Sequence, residues 1–251
     1  MFELTRKIAL VTGAGRGMGA GIARSLAAQG ARIAVNDLDE DRAEETVALI
    51  QAEGGEAIPA CFDVTLYSEV ETGIARITES LGPVEILVNN AGNAGGGPTM
   101  ELAAFRDMDV SEWSRFIDVN LYGPANCAKA VLEGMCDRGR GRIITISSGA
   151  GQTGLPIGVG LYGAGKAGAI GFQRHLAMEV AANGVTVNTV ALGLMDNVGG
   201  SEAVSYLAAS QPTGRLGKPE DAGAAVVYLA SDEASWVTGQ VLGVNGGTHL
   251  P

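Results

Sequence analysis

Short runs of β-branched and apolar residues alternate with longer stretches of helical periodicity along almost all of this 251-residue chain, and that alternation leaves few folds open. Strands are expected at Ile8–Val11, Arg32–Asn36, Ala57–Phe62, Ile86–Asn89, Arg142–Ile146, Val185–Val190 and Gln240–Val244. Helices are expected near Met18–Gln29, Glu40–Glu53, Leu66–Leu81, Ser111–Arg138, Gly160–Asn183 and Pro219–Ser231, with Pro219 suited to a first helical turn. Nearly continuous apolar strands separated by helices imply a parallel sheet covered on both faces. No linker-like shift of composition divides the chain. The expectation is therefore a single-domain α/β Rossmann fold over residues 1–251, a doubly wound parallel sheet of about seven strands. Cofactor binding falls mainly to 1–140, and catalysis and substrate binding mainly to 141–251. A ligand crevice belongs at the carboxyl ends of the strands.

The balance of residues narrows the partners. A formal charge of -11 disfavours nucleic acid and anionic membrane surfaces. Cys61, Cys127 and Cys136 lack metal-ligand spacing and read as free thiols in a reducing compartment, and His175 and His249 suggest no metal either. The first residues run straight into a strand, and no apolar run is long enough to span a bilayer, so a cytoplasmic protein is expected.

The first strand is followed by Thr12-Gly13-Ala14-Gly15-Arg16-Gly17-Met18-Gly19 and then a helix. Glycines there permit a tight turn and let a diphosphate approach backbone N–H groups at a helix N-terminus. Asp37, with Leu38 beside it, ends the second strand about twenty residues later, where a carboxylate can bind ribose hydroxyls and repel a 2′-phosphate. Arg16 could pull the other way by pairing with that phosphate. The balance favours NAD over NADP. Asp63 and Val64, after the third strand, offer further contacts where adenine should lie.

These motifs, with those that follow, resemble the short-chain dehydrogenase/reductase family along essentially the whole chain. The family's T-G-x-x-x-G-x-G is matched by Thr12, Gly13, Gly17 and Gly19, and its N-N-A-G by Asn89-Asn90-Ala91-Gly92. Its catalytic Asn is matched by Asn120, its Ser by Ser148, and its Y-x-x-x-K by Tyr162 and Lys166. Ser147 could hold the serine role if the turn is shifted by one residue. The resemblance implies that Asn120 orders a relay water, that Ser148 bonds the reacting oxygen, and that Lys166 binds the nicotinamide ribose. It also places Gly193, Met195 and Asn197 on the cofactor, and implies a homotetramer or homodimer.

The chemistry can be argued from the residues themselves. Oxidising an alcohol needs a base for the hydroxyl proton, and reduction needs the reverse. A phenol at its ordinary pKa of about 10 is a poor base, so Tyr162 needs roughly 4 kcal/mol of help to reach neutrality. Lys166, one turn further along the same helical face, is the expected source if the site is sheltered from water.

Two stretches depart from the family pattern. Leu192-Gly193 stands where Pro-Gly is usual, and Asn197 stands where Thr is usual. The Gly92–Val110 loop is long, the Gly193–Gly214 loop short. Met100, Leu102, Phe105, Leu194, Met195 and Val198 would give the crevice an apolar rim, with Leu194 and Met195 facing substrate beside Ser148 and Tyr162. The expected activity is hydride transfer between NAD(H) and a secondary alcohol or ketone of apolar or cyclic character. The alternative is a 3-oxoacyl-thioester reductase, with Arg106, Arg115 and Arg215 available to a carrier phosphate. A nucleotide-sensing scaffold without turnover is the reading from outside the enzymes.

Overall fold

A computed structural model describes residues 1–92, 102–196 and 202–249. Seven strands form one parallel sheet: β1 (Ile8–Val11), β2 (Arg32–Val35), β3 (Glu56–Pro59), β4 (Ile86–Asn89), β5 (Gly141–Ser148), β6 (Val185–Leu192) and β7 (Val241–Val244). Their order across the sheet is β3-β2-β1-β4-β5-β6-β7. The chain builds outward from β1 to β3 and then returns to the other side of β1, so the winding reverses between β1 and β4. A crevice opens at such a reversal, at the carboxyl ends of the two strands.

Alternation along the strands supplies two cores. Ala9, Val11, Ile86, Val88, Ile144 and Ile146 face α1 (Gly17–Ala28), α2 (Glu40–Ala52) and α8 (Pro219–Ala230). Ile8, Leu10, Leu87, Ile143, Val185 and Val187 face α3 (Tyr67–Ser80), α5 (Gly123–Asp137) and α6 (Gly160–Val180). Every residue of β1, β4 and β6 is buried, as a central parallel strand requires. Cys61, Cys127 and Cys136 are free thiols. Cys127 packs in the second core, where burial pushes its thiol up to about 12.

The strand and helix positions follow the expectations closely, with one informative exception. The single helix expected over Ser111–Arg138 is broken. A 3-10 turn at Val110–Glu112 leads into α4 (Trp113–Ile117), then a π-helical turn over Asp118–Tyr122, then α5. The Gly123 N–H reaches back five residues to the Asp118 carbonyl. Pro124 has no N–H to offer the Asn120 carbonyl four residues before it, so the regular ladder cannot pass through this point. β5 is also longer than expected, reaching Ser148. β3 is shorter and ends at Pro59 on the sheet edge. The short helix α7 spans Glu202–Ala209.

Helices α1 and α8 approach through glycines. A Cβ at Gly21 would collide with Pro219, and one at Gly223 with Ser25. Gly21→Ala is therefore expected to cost about 1–3 kcal/mol by overpacking. Urea unfolding should show a lower midpoint at unchanged slope, and an unshifted midpoint would contradict this packing.

Candidate active site

The glycine turn after β1 is tied to the end of β4 by side chains. Thr12 Oγ1 accepts from the N–H groups of Asn90 and Ala91, both at 3.0 Å. Asn90 Nδ2 returns two bonds of 2.9 Å to the carbonyls of Thr12 and Gly13. Gly13 sits at φ +60°, and a Cβ there would stand 2.9 Å from Ala91 Cα, so only glycine meets both demands. Gly19 is likewise crowded by the Gly13 carbonyl. Gly17, at φ +55°, faces open space. Helix α1 starts here with no side-chain cap from Arg16 and no acidic residue in its first turn. A helix start with no acidic side chain in its first turn suits the diphosphate of a dinucleotide. Met18 is part-buried against the first core.

Asp37 leaves β2 toward the same turn. Its Oδ2 accepts from Gly15 N at 3.0 Å and its Oδ1 from Asp39 N at 3.2 Å. Leu38 beside it is exposed. Asp63 Oδ1 accepts both the N–H and the hydroxyl of Thr65 at 2.8 Å, which shapes the turn after β3. The Val64 carbonyl accepts from Asn126 Nδ2 at 3.0 Å, and its side chain lies against Gly123. Asn126 thereby pins the turn after β3 to α5, a role that no local motif announced.

The catalytic candidates gather at the carboxyl ends of β4 and β5. Asn120 lies in the π-helical turn and is fully buried. Its Nδ2 donates to the Phe116 carbonyl at 2.9 Å, while its buried Oδ1 has no partner among the described residues. A Cβ at Gly92 would stand 3.0 Å from that oxygen and 2.9 Å from Lys166 Nζ, so these groups converge on one point. Small residues of α6 allow the approach: Gly165 lies under Phe116 and Asn120, Gly163 under Ala150, and Gly168 under Leu121.

The two serines separate by strand alternation. Ser147 is buried, and its Oγ donates to the Lys166 carbonyl at 3.3 Å. Ser148, at the end of β5, accepts from Ala150 N at 3.2 Å, and its hydroxyl acts on the Tyr162 phenol.

Lys166 is 5% exposed, and its Nζ donates to the Ile146 carbonyl at 2.9 Å. It stands 5.8 Å from the centroid of the Tyr162 ring. Burial pushes its pKa down to about 8. The expected depression of the Tyr162 phenol is not found. Burial raises it above the ordinary value, and the Ser148 hydrogen bond offsets only part of that rise. Desolvation is the larger of the two causes.

The segment after β6 is held in place by β7 and the Gly217 region. Leu192 extends β6 opposite Val244, and Gly193 N donates to the Val244 carbonyl at 3.1 Å. Met195 bridges to Gly217 and is part-buried against the first core. Leu194 is exposed. Asn197, Met100 and Val198 lie outside the described residues. Leu102 and Phe105 are exposed, Phe105 resting 5.2 Å from the Trp113 ring. The loop between β5 and α6 also enters the rim. Ala103 N bonds the Gly158 carbonyl at 3.3 Å, and Leu155 and Ile157 beside it are exposed apolar groups. Sequence inspection passed over this loop, although its two apolar residues among glycines were a usable signal.

A family model described as Enoyl-(Acyl carrier protein) reductase matches residues 13–249. Acetoacetyl-CoA reductase of Rhizobium meliloti (strain 1021) is 40% identical, covering 97% of this chain and 99% of its own. The 3-oxoacyl-[acyl-carrier-protein] reductase FabG of Vibrio cholerae is also 40% identical, over 99% of both chains. Among solved structures, a gluconate 5-dehydrogenase from Burkholderia cenocepacia J2315, in complex with NADP and tartrate, superposes with a TM-score of 0.89. It is 32% identical, over 98% of this chain and 96% of the other.

The buried ammonium has a measurable cost. Its folded pKa lies below the unfolded value of about 10.4, so the native state resists protonation and pays for it below pH 8. Between about 8 and 10.4 the native lysine is neutral while the unfolded one is charged, and stability rises with pH through that window. Lys166→Met should be more stable than wild type at pH 7 by on the order of 3 kcal/mol, the gap closing toward pH 10.5. Equal urea midpoints at pH 7 would show that the ammonium is not a burden to the fold.

Proposed function

Because the chain belongs to the short-chain dehydrogenase/reductase family, NAD(P)-dependent oxidoreductases acting on CH–OH and keto groups, we propose that it moves hydride between NAD(H) and a secondary alcohol or ketone, with Tyr162 as proton donor and acceptor. The convergence of Ser148, Tyr162, Lys166 and Asn120 beside the glycine turn carries this reading. A nicotinamide held here would supply or receive the hydride at the reacting carbon. Ser148 holds the substrate oxygen next to the phenol. Tyr162 gives its proton to that oxygen during reduction and takes one back during oxidation. Its raised pKa keeps it protonated at neutral pH, the form that reduction needs. Lys166 retains two ammonium protons beyond the one given to Ile146, and these serve the nicotinamide ribose. The unpartnered Asn120 Oδ1 holds the water that resupplies the phenol.

Asp37, fixed by two backbone donors, supports NAD(H) over NADP(H). Gly17 and the first turn of α1 would receive the diphosphate, Gly13 and Gly19 shape the turn that brings it there, Gly15 docks Asp37 at the ribose, and Asp63, Val64, Asn90, Ala91, Gly92 and Gly193 would line the rest of the dinucleotide path. For the substrate, an apolar group under Leu102, Phe105, Leu155, Ile157 and Leu194 is the leading reading. A 3-oxoacyl thioester is the second, favoured by the names of the relatives at 40% identity. The three arginines considered for a carrier phosphate are each tied to a neighbouring carboxylate: Arg106 to Asp107, Arg115 to Glu112 and Arg215 to Asp221. Exposed Met178 on α6 and Trp236 before β7 are surfaces that a homodimer or homotetramer would cover.

Tyr162→Phe keeps the ring and removes the proton, so turnover of any accepted ketone is expected to fall at least about a hundredfold. NADH binding measured by fluorescence should persist. Near-normal turnover would end the assignment of Tyr162. Wild type should also show kcat/KM for NADH at least about tenfold above that for NADPH, and Asp37→Ala should narrow the gap. A preference for NADPH would place Arg16 in control of the ribose site.

A further inference from the structure

We infer that Gly15 is a specificity-determining residue, selecting the dinucleotide through Asp37 by having no side chain of its own; this rests on the NAD(H) reading. A Cβ at Gly15 would stand 2.7 Å from Asp37 Oδ2 and 2.7 Å from Arg42 Cβ. Both distances are shorter than real Cβ contacts tolerate. The Arg42 atom belongs to the first turn of α2, so a methyl group is admitted there only with a small shift of that helix end, which carries none of the groups assigned to the nucleotide. Asp37 is the partner that can move. Its carboxylate is docked under the turn by the bond from Gly15 N at 3.0 Å, and the second bond, from Asp39 N at 3.2 Å, fixes its plane.

A methyl group at position 15 therefore displaces the carboxylate from the spot where it meets the adenosine ribose. The diphosphate contacts are spared, because they belong to Gly17 and the first turn of α1, where there is open space. Loss of Asp37 contact weakens NADH, which needs the carboxylate, and relieves NADPH, which the carboxylate repels. Gly15 is thus a positioning residue whose effect exists only while Asp37 is present. A glycine serving only the turn would behave differently. Its replacement would weaken both cofactors alike, whatever stood at position 37.

The test is a double-substitution cycle read by equilibrium binding of NADH and NADPH, followed by nucleotide fluorescence or calorimetry. Gly15→Ala should raise the Kd for NADH about tenfold or more and change that for NADPH by less than about threefold, or lower it. In an Asp37→Ala background, adding Gly15→Ala should move the NADH Kd by less than about threefold. Equal weakening of both nucleotides, or an undiminished effect in the Asp37→Ala background, would overturn the inference. Asp37→Ala alone tests the NAD(H) reading separately, since that reading fails if this variant binds NADH as tightly as wild type. Should Gly15→Ala fail to fold, Gly15→Ala/Asp37→Gly decides. A folded double variant supports a collision with Asp37, whereas failure of both makes Arg42 the obstacle and contradicts the inference.

Discussion

The buried ammonium of Lys166 is the constraint around which the catalytic end is arranged. Holding a cation at 5% exposure with one carbonyl partner is unfavourable for the fold, and its pKa falls to about 8 as a result. The structure bears that cost because the position it secures is otherwise hard to reach. Nζ points between Gly92 at the end of β4 and the Tyr162 ring. Three elements are drawn in to make room: glycine at position 92, the small residues of α6, and the π-helical turn that brings Asn120 to the same point.

The dinucleotide end works by complementary means. There the chain supplies few side chains and many backbone groups, and steric absence is the working feature. Gly13 lets the turn approach β4, Gly17 leaves space above α1, and Gly15 leaves space for a carboxylate. Thr12 and Asn90 join the two ends of the site with four hydrogen bonds across the winding reversal. The phenol, the ammonium and the glycine turn therefore sit on one rigid edge of the sheet, as hydride transfer between two bound molecules demands.

Much of this was legible in the sequence, for reasons that are local. The strand–glycine–helix junction, the pair Tyr162 and Lys166 one turn apart, and Asp37 after β2 each follow from short spacings that the backbone geometry fixes. What escaped was set by contacts distant in sequence. The break at Asp118–Tyr122 was hidden because residues on either side keep helical periodicity, although Pro124 offered a clue. The pKa of Tyr162 depends on how deeply the fold buries the ring, which no spacing reports. The pairing of Met195 with Gly217, which covers part of the Met195 side chain, joins residues 22 positions apart and leaves no local trace. The β5–α6 loop joins the rim only because Gly158 meets Ala103 from another loop.

The proposed passage of hydride between NAD(H) and a carbonyl carbon at this edge of the sheet can be followed by isotope transfer. The protein would be incubated with NADH deuterated at the transferable nicotinamide position, together with a panel holding cyclic ketones, acyclic ketones and a 3-oxoacyl thioester. Mass spectrometry of the products should find deuterium on the carbinol carbon of at least one member. Product carrying no label, or no reduction of any member at saturating NADH, would contradict it.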